Sequence, residues 1–425
     1  MSSICRQKVV HVVPKMSPAG GPAGYAFRLK CALEAYPSKN FDVTFLESTG
    51  ERGQYVSTLR RGMWLVEALA NNRVRGNPAI TAISKRIISF DASFRQRFQP
   101  EACRISTLVD AFVSYCPPPD MHDDILQDAD LVIFHAVLAA SSYLRGRGRN
   151  GPRVAVMPHS PTPITGEVAC FMNPEARPEE LDLDPRFRRL LKEEYRLYSL
   201  ADRIVVPCSA ALEAYRSISP AWAEVFNDSK LATCYTGTPP PPIHADKAIW
   251  RQRLGIKDGQ LLAVYVGRYH FHKGYDLLAP VMREVNRILP GKIVLACAGG
   301  PASESDGGIV HVGYTDDVGG LMSAADFVVV PCRYAYFDLA ALECCALGRP
   351  MLITDVGGHR ELGQMVPAIR TVSPTIDALV DGFVEMAGDA DLKRRGSAIF
   401  DAYNRLFTPQ AFSENHVNLY QNLLA

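Results

Sequence analysis

Short β-branched and apolar runs alternate along this chain with longer stretches of helical periodicity, and that alternation restricts it to α/β folds built on parallel sheets. In the first half the runs are VVHVVP (9–14), FDVTFLE (41–47), DLVIFHA (130–136), RVAVMPHS (153–160) and DRIVVPCS (202–209). In the second half LAVYVGR, IVLACAGG, HVGY, DFVVVPC and PMLITDVGG repeat the pattern. Strands separated by helices need crossover connections, which put helices on both faces of a parallel sheet. A chain of 425 residues exceeds one ordinary core, so two domains of about 200 residues each are predicted. Between the halves lies YTGTPPPPIHADKAIWRQRLGIKDGQ (235–260). Four consecutive prolines join neither a helix nor a sheet interior, and the domain boundary is therefore placed near Pro239.

Composition excludes several classes. With 47% hydrophobic and 21% charged residues the chain reads as an ordinary globular protein, and its net charge of +1 carries no signal for nucleic acid. The eleven cysteines include no C-x-x-C pair, and no signal-peptide pattern precedes them. Free thiols in a reducing cytoplasm are expected, with Cys344 and Cys345 packing as small hydrophobes. The longest apolar run, Leu131–Leu144, contains His135 and falls short of a membrane span. One region is unusual: residues 52–99 hold nine basic side chains, from Arg52 to Arg97, against only Glu67 and Asp91, with Trp64 and Leu65 among the interleaved apolar residues. Such a stretch can lie peripherally on an anionic membrane at its inner face, or form a solvated basic helix pair packed on the first sheet.

Four separated pieces within Val264–Glu361 read as parts of one pocket. VYVGRYHFHKGYDLL (264–278) is a strand ending at Gly267, followed by Arg268 and Lys273 before a helix; IVLACAGGP runs into Gly299–Gly300–Pro301. IVHVGYTDDVGGLMSAADFVVVPC brackets a short helix with two strands, and YAYFDLAALECCALGRPMLITDVGGHREL carries Glu343 and a Gly357–Gly358 turn. Gly-rich turns entering helices aim backbone N–H groups and positive helix ends at the carboxyl edge of the sheet, where α/β folds bind phosphorylated ligands. An Arg fork and a Lys point charge five residues apart can neutralise a diphosphate. Taken alone, the two cations read better as exposed surface charges, a reading the flanking Gly267 and Gly274 weaken, and Glu343 reads equally as a helix-surface carboxylate. His270 and His272 have no third ligand at sensible spacing, so no metal site is expected there. In the first half, Gly20, Gly21 and Gly24 follow the first strand without matching G-x-G-x-x-G. His159 ends the strand RVAVMPHS and would face a cleft between the domains, or serve as a structural histidine. Asp128-Ala-Asp130 and Asp182-Leu-Asp184 fit a common D-x-D tripeptide; the first is read as a strand start, and metal catalysis is not expected.

Together these motifs resemble glycosyltransferase family 4 (glycosyl transferases group 1), the retaining, metal-independent nucleotide-sugar enzymes of the GT-B fold. The resemblance rests on G-R-x(4)-K-G at 267–274, A-G-G-P at 298–301, V-G-Y-T-D-D at 312–317 and A-A-D-F-V-V-V-P at 324–331. It continues through L-E-C-C-A-L-G-R-P at 342–350 and T-D-V-G-G-H-R-E at 354–361, with a looser match at A-D-R-I-V-V-P-C-S, 201–209. It implies two Rossmann-like domains facing across a cleft: residues 1–238 on the acceptor side, 239–408 holding the donor, and a helix over 409–425 returning to the first domain.

It further implies a nucleotide-diphosphate sugar as substrate, no cofactor and no metal, and a sugar, lipid-linked or small-molecule acceptor. Arg268 and Lys273 would sit on the diphosphate, with His159 and the Gly20–Gly21 loop closing over the sugar. Gly267, Gly299, Asp338 and Leu339 would line the donor, with Glu343 on the ribose and the backbone near Tyr314 beside the base. One departure stands out. The family carries two acidic residues eight apart with a Phe-Gly pair between them, whereas here Ala335 precedes Glu343 and Asp338 holds the Gly position. Asp338 is read either as a helix N-cap or as a substitute carboxylate for a sugar hydroxyl. The departure also admits a degenerate relative that partners another transferase; an epimerase or trehalose-phosphate-type synthase of the same fold is the third alternative.

Overall fold

The structure, a computed structural model, describes residues 6–13, 16–18, 21–47, 123–135, 137–146, 151–166, 185–302 and 307–425. The basic stretch 52–99, Gly20, Asp182 and Asp184 lie outside the described residues. Two six-stranded sheets form the framework, and every strand pairing in them is parallel. The first has the order β2-β1-β3-β4-β5-β6, with β1 Gln7–Val13, β2 Phe41–Glu47, β3 Leu131–Phe134, β4 Arg153–Val156, β5 Arg203–Val206 and β6 Leu231–Thr233. The second has the order β12-β11-β10-β7-β8-β9, from β7 Leu261–Val266, β8 Ile293–Ala298, β9 Ile309–Gly313, β10 Phe327–Val330, β11 Met351–Thr354 and β12 Arg370–Val372.

The central strands are continuous apolar runs because both their faces are covered, as parallel sheets require. All four residues of β3, β10 and β11 are buried. Two strands escaped the sequence reading, β6 and β12. Each is a three-residue edge strand with at most one buried position, too short to show a period. His159 does not end a strand as expected: β4 stops at Val156, and His159 stands three residues beyond it. Asp128 and Asp130 serve the first sheet, Asp130 Oδ2 accepting from Lys8 N at 2.7 Å while Asp128 pairs with the Lys8 ammonium. Cys344 and Cys345 are fully buried, and the described cysteines are free.

From Cys234 to Asp246 the backbone is neither helix nor strand, in keeping with Pro239–Pro242. This segment is tied to the chain's end, Thr238 N donating to the Phe407 carbonyl at 2.9 Å and Tyr403 Oη to the Thr238 carbonyl at 2.9 Å. The final helix, Pro409–Leu424, starts on the Thr408 side chain, which accepts from Ala411 N, with proline in the first turn where its missing N–H costs nothing. It crosses back onto the first sheet: Phe412, Leu419, Tyr420 and Leu423 share a core with Val9, Leu29 and Ile133. No described helix is long and apolar enough to cross a membrane.

Candidate functional site

The site forms where the carboxyl ends of the second sheet's strands meet. After β7 the chain passes Gly267 and Arg268, makes a 3₁₀ turn over Phe271–Lys273, and enters the helix Tyr275–Ile288 through Gly274. Gly274 adopts φ 66°, and a Cβ there would stand 1.8 Å from the Pro331 carbonyl, so this loop lies directly on the chain leaving β10. Gly299, at φ 104°, presses as closely on Gly267: its Cβ would be 2.5 Å from the Gly267 carbonyl oxygen. A third contact brings in the fourth piece, the Lys273 ammonium donating to Asp338 Oδ1. The four segments singled out in the sequence thus converge.

Lys273 is 28% exposed and its ammonium donates to Asp338 Oδ1. Arg268 is exposed, and its charge is among those acting on Lys273. Asp338 occupies the N-cap position of the helix Leu339–Ala346, but its side chain makes no cap hydrogen bond. That corrects the N-cap reading: only its backbone carbonyl serves the helix, accepting from Ala341 N at 3.0 Å and Leu342 N at 3.1 Å. The carboxylate turns instead to Lys273, to Cys332 Sγ at 3.2 Å and to His359 Nε2 at 3.1 Å. Burial alone would raise the Asp338 carboxyl, but the Lys273 charge and the His359 hydrogen bond hold it well below the usual range. Burial likewise opposes charge on Lys273, and the Asp338 carboxylate outweighs it, raising the ammonium's pKa. Cys332, Asp338 and His359 bring one potential metal-ligating atom each within 4.8 Å of one another. The Lys273 ammonium already supplies positive charge to that carboxylate and would repel a cation there.

Glu343 faces the other half of the molecule. Its Oε1 accepts from Arg28 Nη2 at 2.6 Å, Arg28 standing on the helix Gly21–Ala35 behind β1. Burial pushes the Glu343 carboxyl up, and Arg28 counteracts it. Close by, Tyr336 Oη donates to the Pro158 carbonyl, next to His159. Burial, helped by the His416 charge, lowers the His159 pKa to about 3, so its imidazole is neutral near pH 7. His159 Nε2 lies 2.8 Å from His135 Nδ1, and its ring packs against Tyr25 with centroids 4.6 Å apart.

Of the sequence-predicted residues, Gly267, Lys273, Gly299, Asp338 and Leu339 are therefore gathered in one place with Arg268 beside them. Glu343 and His159 adjoin the contacts between the two halves. Gly21 opens its helix at φ 71° with open space where a Cβ would project. Tyr314 follows β9 and is 81% exposed. Asp317, within the V-G-Y-T-D-D motif, proves structural: it accepts from His244 N, Ala245 N and Gly320 N at 2.9, 2.9 and 3.0 Å and from Trp250 Nε1 at 2.7 Å. Sequence reasoning missed Arg28, Tyr336 and His135, for which no local signal exists. Cys332 and His359 stood at the ends of quoted motifs and could have been suspected.

Residues 260–389 match the family described as glycosyl transferases group 1. The uncharacterized glycosyltransferase MJ1607 of Methanocaldococcus jannaschii is 26% identical over 165 residues, 35% of this chain and 42% of that protein. The D-inositol 3-phosphate glycosyltransferase of Segniliparus rotundus is 33% identical over 129 residues, 27% of this chain and 29% of that protein. The matched part spans less than half the length of these relatives. Among solved structures, sucrose-phosphate synthase from Thermosynechococcus elongatus has a TM-score of 0.62 at 19% identity, covering 98% of this chain and 99% of that one. HepE of Anabaena, in complex with UDP-glucose, has a TM-score of 0.58 at 12% identity, covering 98% and 100%. At these identities the structural likeness speaks for the fold. With its two parallel sheets and returning helix the chain has the GT-B fold, and its residues 260–389 match the glycosyl transferases group 1 family.

Proposed function

We propose that this protein is a glycosyltransferase that moves a sugar from a nucleotide-diphosphate sugar to a hydroxyl acceptor, with retention of anomeric configuration and without a metal. The observation that carries the reading is the packing of the Arg268–Lys273 loop against the Gly299 turn and the start of the helix Leu339–Ala346, at the carboxyl ends of parallel strands. The GT-B relative solved with UDP-glucose supports this donor class. Arg268 and Lys273 stabilise charge as the bond from sugar C1 to the leaving phosphate breaks. The acceptor oxygen bonds C1 from the same face, and its proton passes to the departing phosphate. Catalysis is then mainly positioning and charge stabilisation. The acceptor is a sugar, a lipid-linked or a small-molecule hydroxyl, in polysaccharide, glycolipid or glycoconjugate synthesis. The cytoplasm is the natural compartment, with the basic stretch 52–99 touching an anionic membrane.

A second reading is favoured by three observations: Lys273 is neutralised by Asp338, Glu343 is taken by Arg28, and a buried Ala335 stands where the family has an acid. A pocket satisfied by its own residues suits a partner protein that has lost donor chemistry. One experiment separates the two. Purified protein and Lys273→Ala are heated with UDP, GDP, ADP, dTDP and their sugar conjugates, without metal. Saturating binding to the folded state raises apparent stability by a few kcal/mol. A shift with one nucleotide family that disappears in Lys273→Ala supports the transferase; no shift with any of them supports the partner protein.

A further inference from the structure

A chain of four rings runs from half-buried His159, next to the Tyr336–Pro158 contact between the two halves, to the last helix. His159 Nε2 is 2.8 Å from His135 Nδ1, His135 Nε2 is 2.7 Å from His11 Nδ1, and His11 Nε2 is 2.7 Å from Tyr420 Oη. His11 and Tyr420 are fully buried and His135 is 3% exposed. Three imidazoles bonded nitrogen to nitrogen with one proton per contact have only two consistent arrangements. Either every proton points toward His159, or every proton points toward Tyr420.

The Tyr420 hydroxyl decides between them. Its hydrogen-bond partner among the described residues is His11 Nε2, and burial keeps the phenol protonated by raising its pKa far above the usual value. If His11 donated to Tyr420, the phenol proton would be left in the core without an acceptor, which is costly. Tyr420 therefore donates. His11 must then carry its proton on Nδ1 and donate to His135 Nε2, and His135 must carry its own on Nδ1 and donate to His159 Nε2. The remaining proton of the neutral His159 is on Nδ1. A neighbouring pair obeys the same logic: His416 Nδ1 faces the Phe412 carbonyl at 3.1 Å and so must donate to it, leaving Nε2 to accept from Tyr25 Oη at 3.1 Å.

We propose that Tyr420, acting through His11 and His135, sets His159 as its Nδ1–H tautomer, so that the cleft imidazole meets substrate as a hydrogen-bond donor to oxygen and not as a base. Tyr420, His11 and His135 are positioning residues; the contact with substrate belongs to His159 and rests on the transferase reading above. The returning helix thereby becomes part of the site's chemistry as well as of its packing.

The test is nitrogen-15 NMR of protein labelled on histidine, read without substrate, with the His159 signals assigned by their loss in His159→Gln. The native protein should show His159 protonated on Nδ1, with Nε2 as an acceptor. Tyr420→Phe, which removes only the hydroxyl, should release the chain and move His159 toward the Nε2–H form, although residue 420 does not touch it. A native His159 protonated on Nε2, or a tautomer unchanged in Tyr420→Phe, overturns the proposal. Because no substrate is needed, failure of the transferase reading leaves this result intact. With a donor sugar in hand, Tyr420→Phe should lower kcat about fivefold, the scale of one misdirected hydrogen bond; an unchanged kcat overturns the donor role of His159.

Discussion

Arg28 Nη2 lies 2.6 Å from Glu343 Oε1, and this ion pair joins the helix Gly21–Ala35 of one half to the helix Leu339–Ala346 of the other. Both side chains are 14% exposed, and Arg28 Nη1 is buried without a protein partner among the described residues. Removing one member of a largely buried pair strands the other charge, so Arg28→Met and Glu343→Gln should each destabilise the fold by about 3 kcal/mol. The double variant should lose less than the sum. Urea unfolding of the four proteins checks this, and additivity within about 0.5 kcal/mol would show that the pair is uncoupled.

Asp338 places a negative charge beside the lysine proposed for phosphate. A charge about 10 Å from a phosphate, at the screening typical of a protein cleft, is worth about 1–2 kcal/mol. Asp338→Asn should therefore bind the preferred nucleoside diphosphate about tenfold more tightly by titration calorimetry. Weaker binding of the sugar conjugate with tighter binding of the bare diphosphate would instead assign the carboxylate to a sugar hydroxyl.

The same carboxylate predicts an acid limb. Its folded-state pKa lies below the unfolded value of about 3.9, so the stability it contributes is fully present above that value. It is lost as pH falls below about 4 toward the folded pKa. Melting temperatures measured from neutral pH down into that range should drop less steeply for Asp338→Asn than for the native chain. Parallel curves would remove Asp338 from the acid response.

Asp317 offers a stability test away from the proposed chemistry. Asp317→Ala leaves three backbone N–H groups and the Trp250 indole without their acceptor, which should cost about 3–5 kcal/mol. The urea midpoint should fall with an unchanged slope. A loss below about 1 kcal/mol would mean that the linker around His244 and Ala245 finds other partners.

Much of the architecture was legible because its signals are local. Buried parallel strands are apolar throughout, so β3, β7, β8, β10 and β11 stood out, whereas three-residue edges such as β6 and β12 carry no period. Lys273 and Gly299 could be named because close backbone approach and a phosphate clamp require those residue types. Asp338 was noticed, but its partner was not. A carboxylate at a helix start has a backbone partner by default, and Lys273 is 65 positions away.

The sequence by itself determined the α/β class, the two-sheet division and the motif residues at the strand ends, since each depends on spacings of a few residues. Only the tertiary structure decided which charges meet. Arg28 reaches Glu343 across 315 positions, and His11 reaches Tyr420 across 409. The chain His11–His135–His159 exists because β1, β3 and β4 are neighbours in the sheet. Strand order is set by how whole helices and strands bury their apolar faces together, and no window of sequence contains that competition.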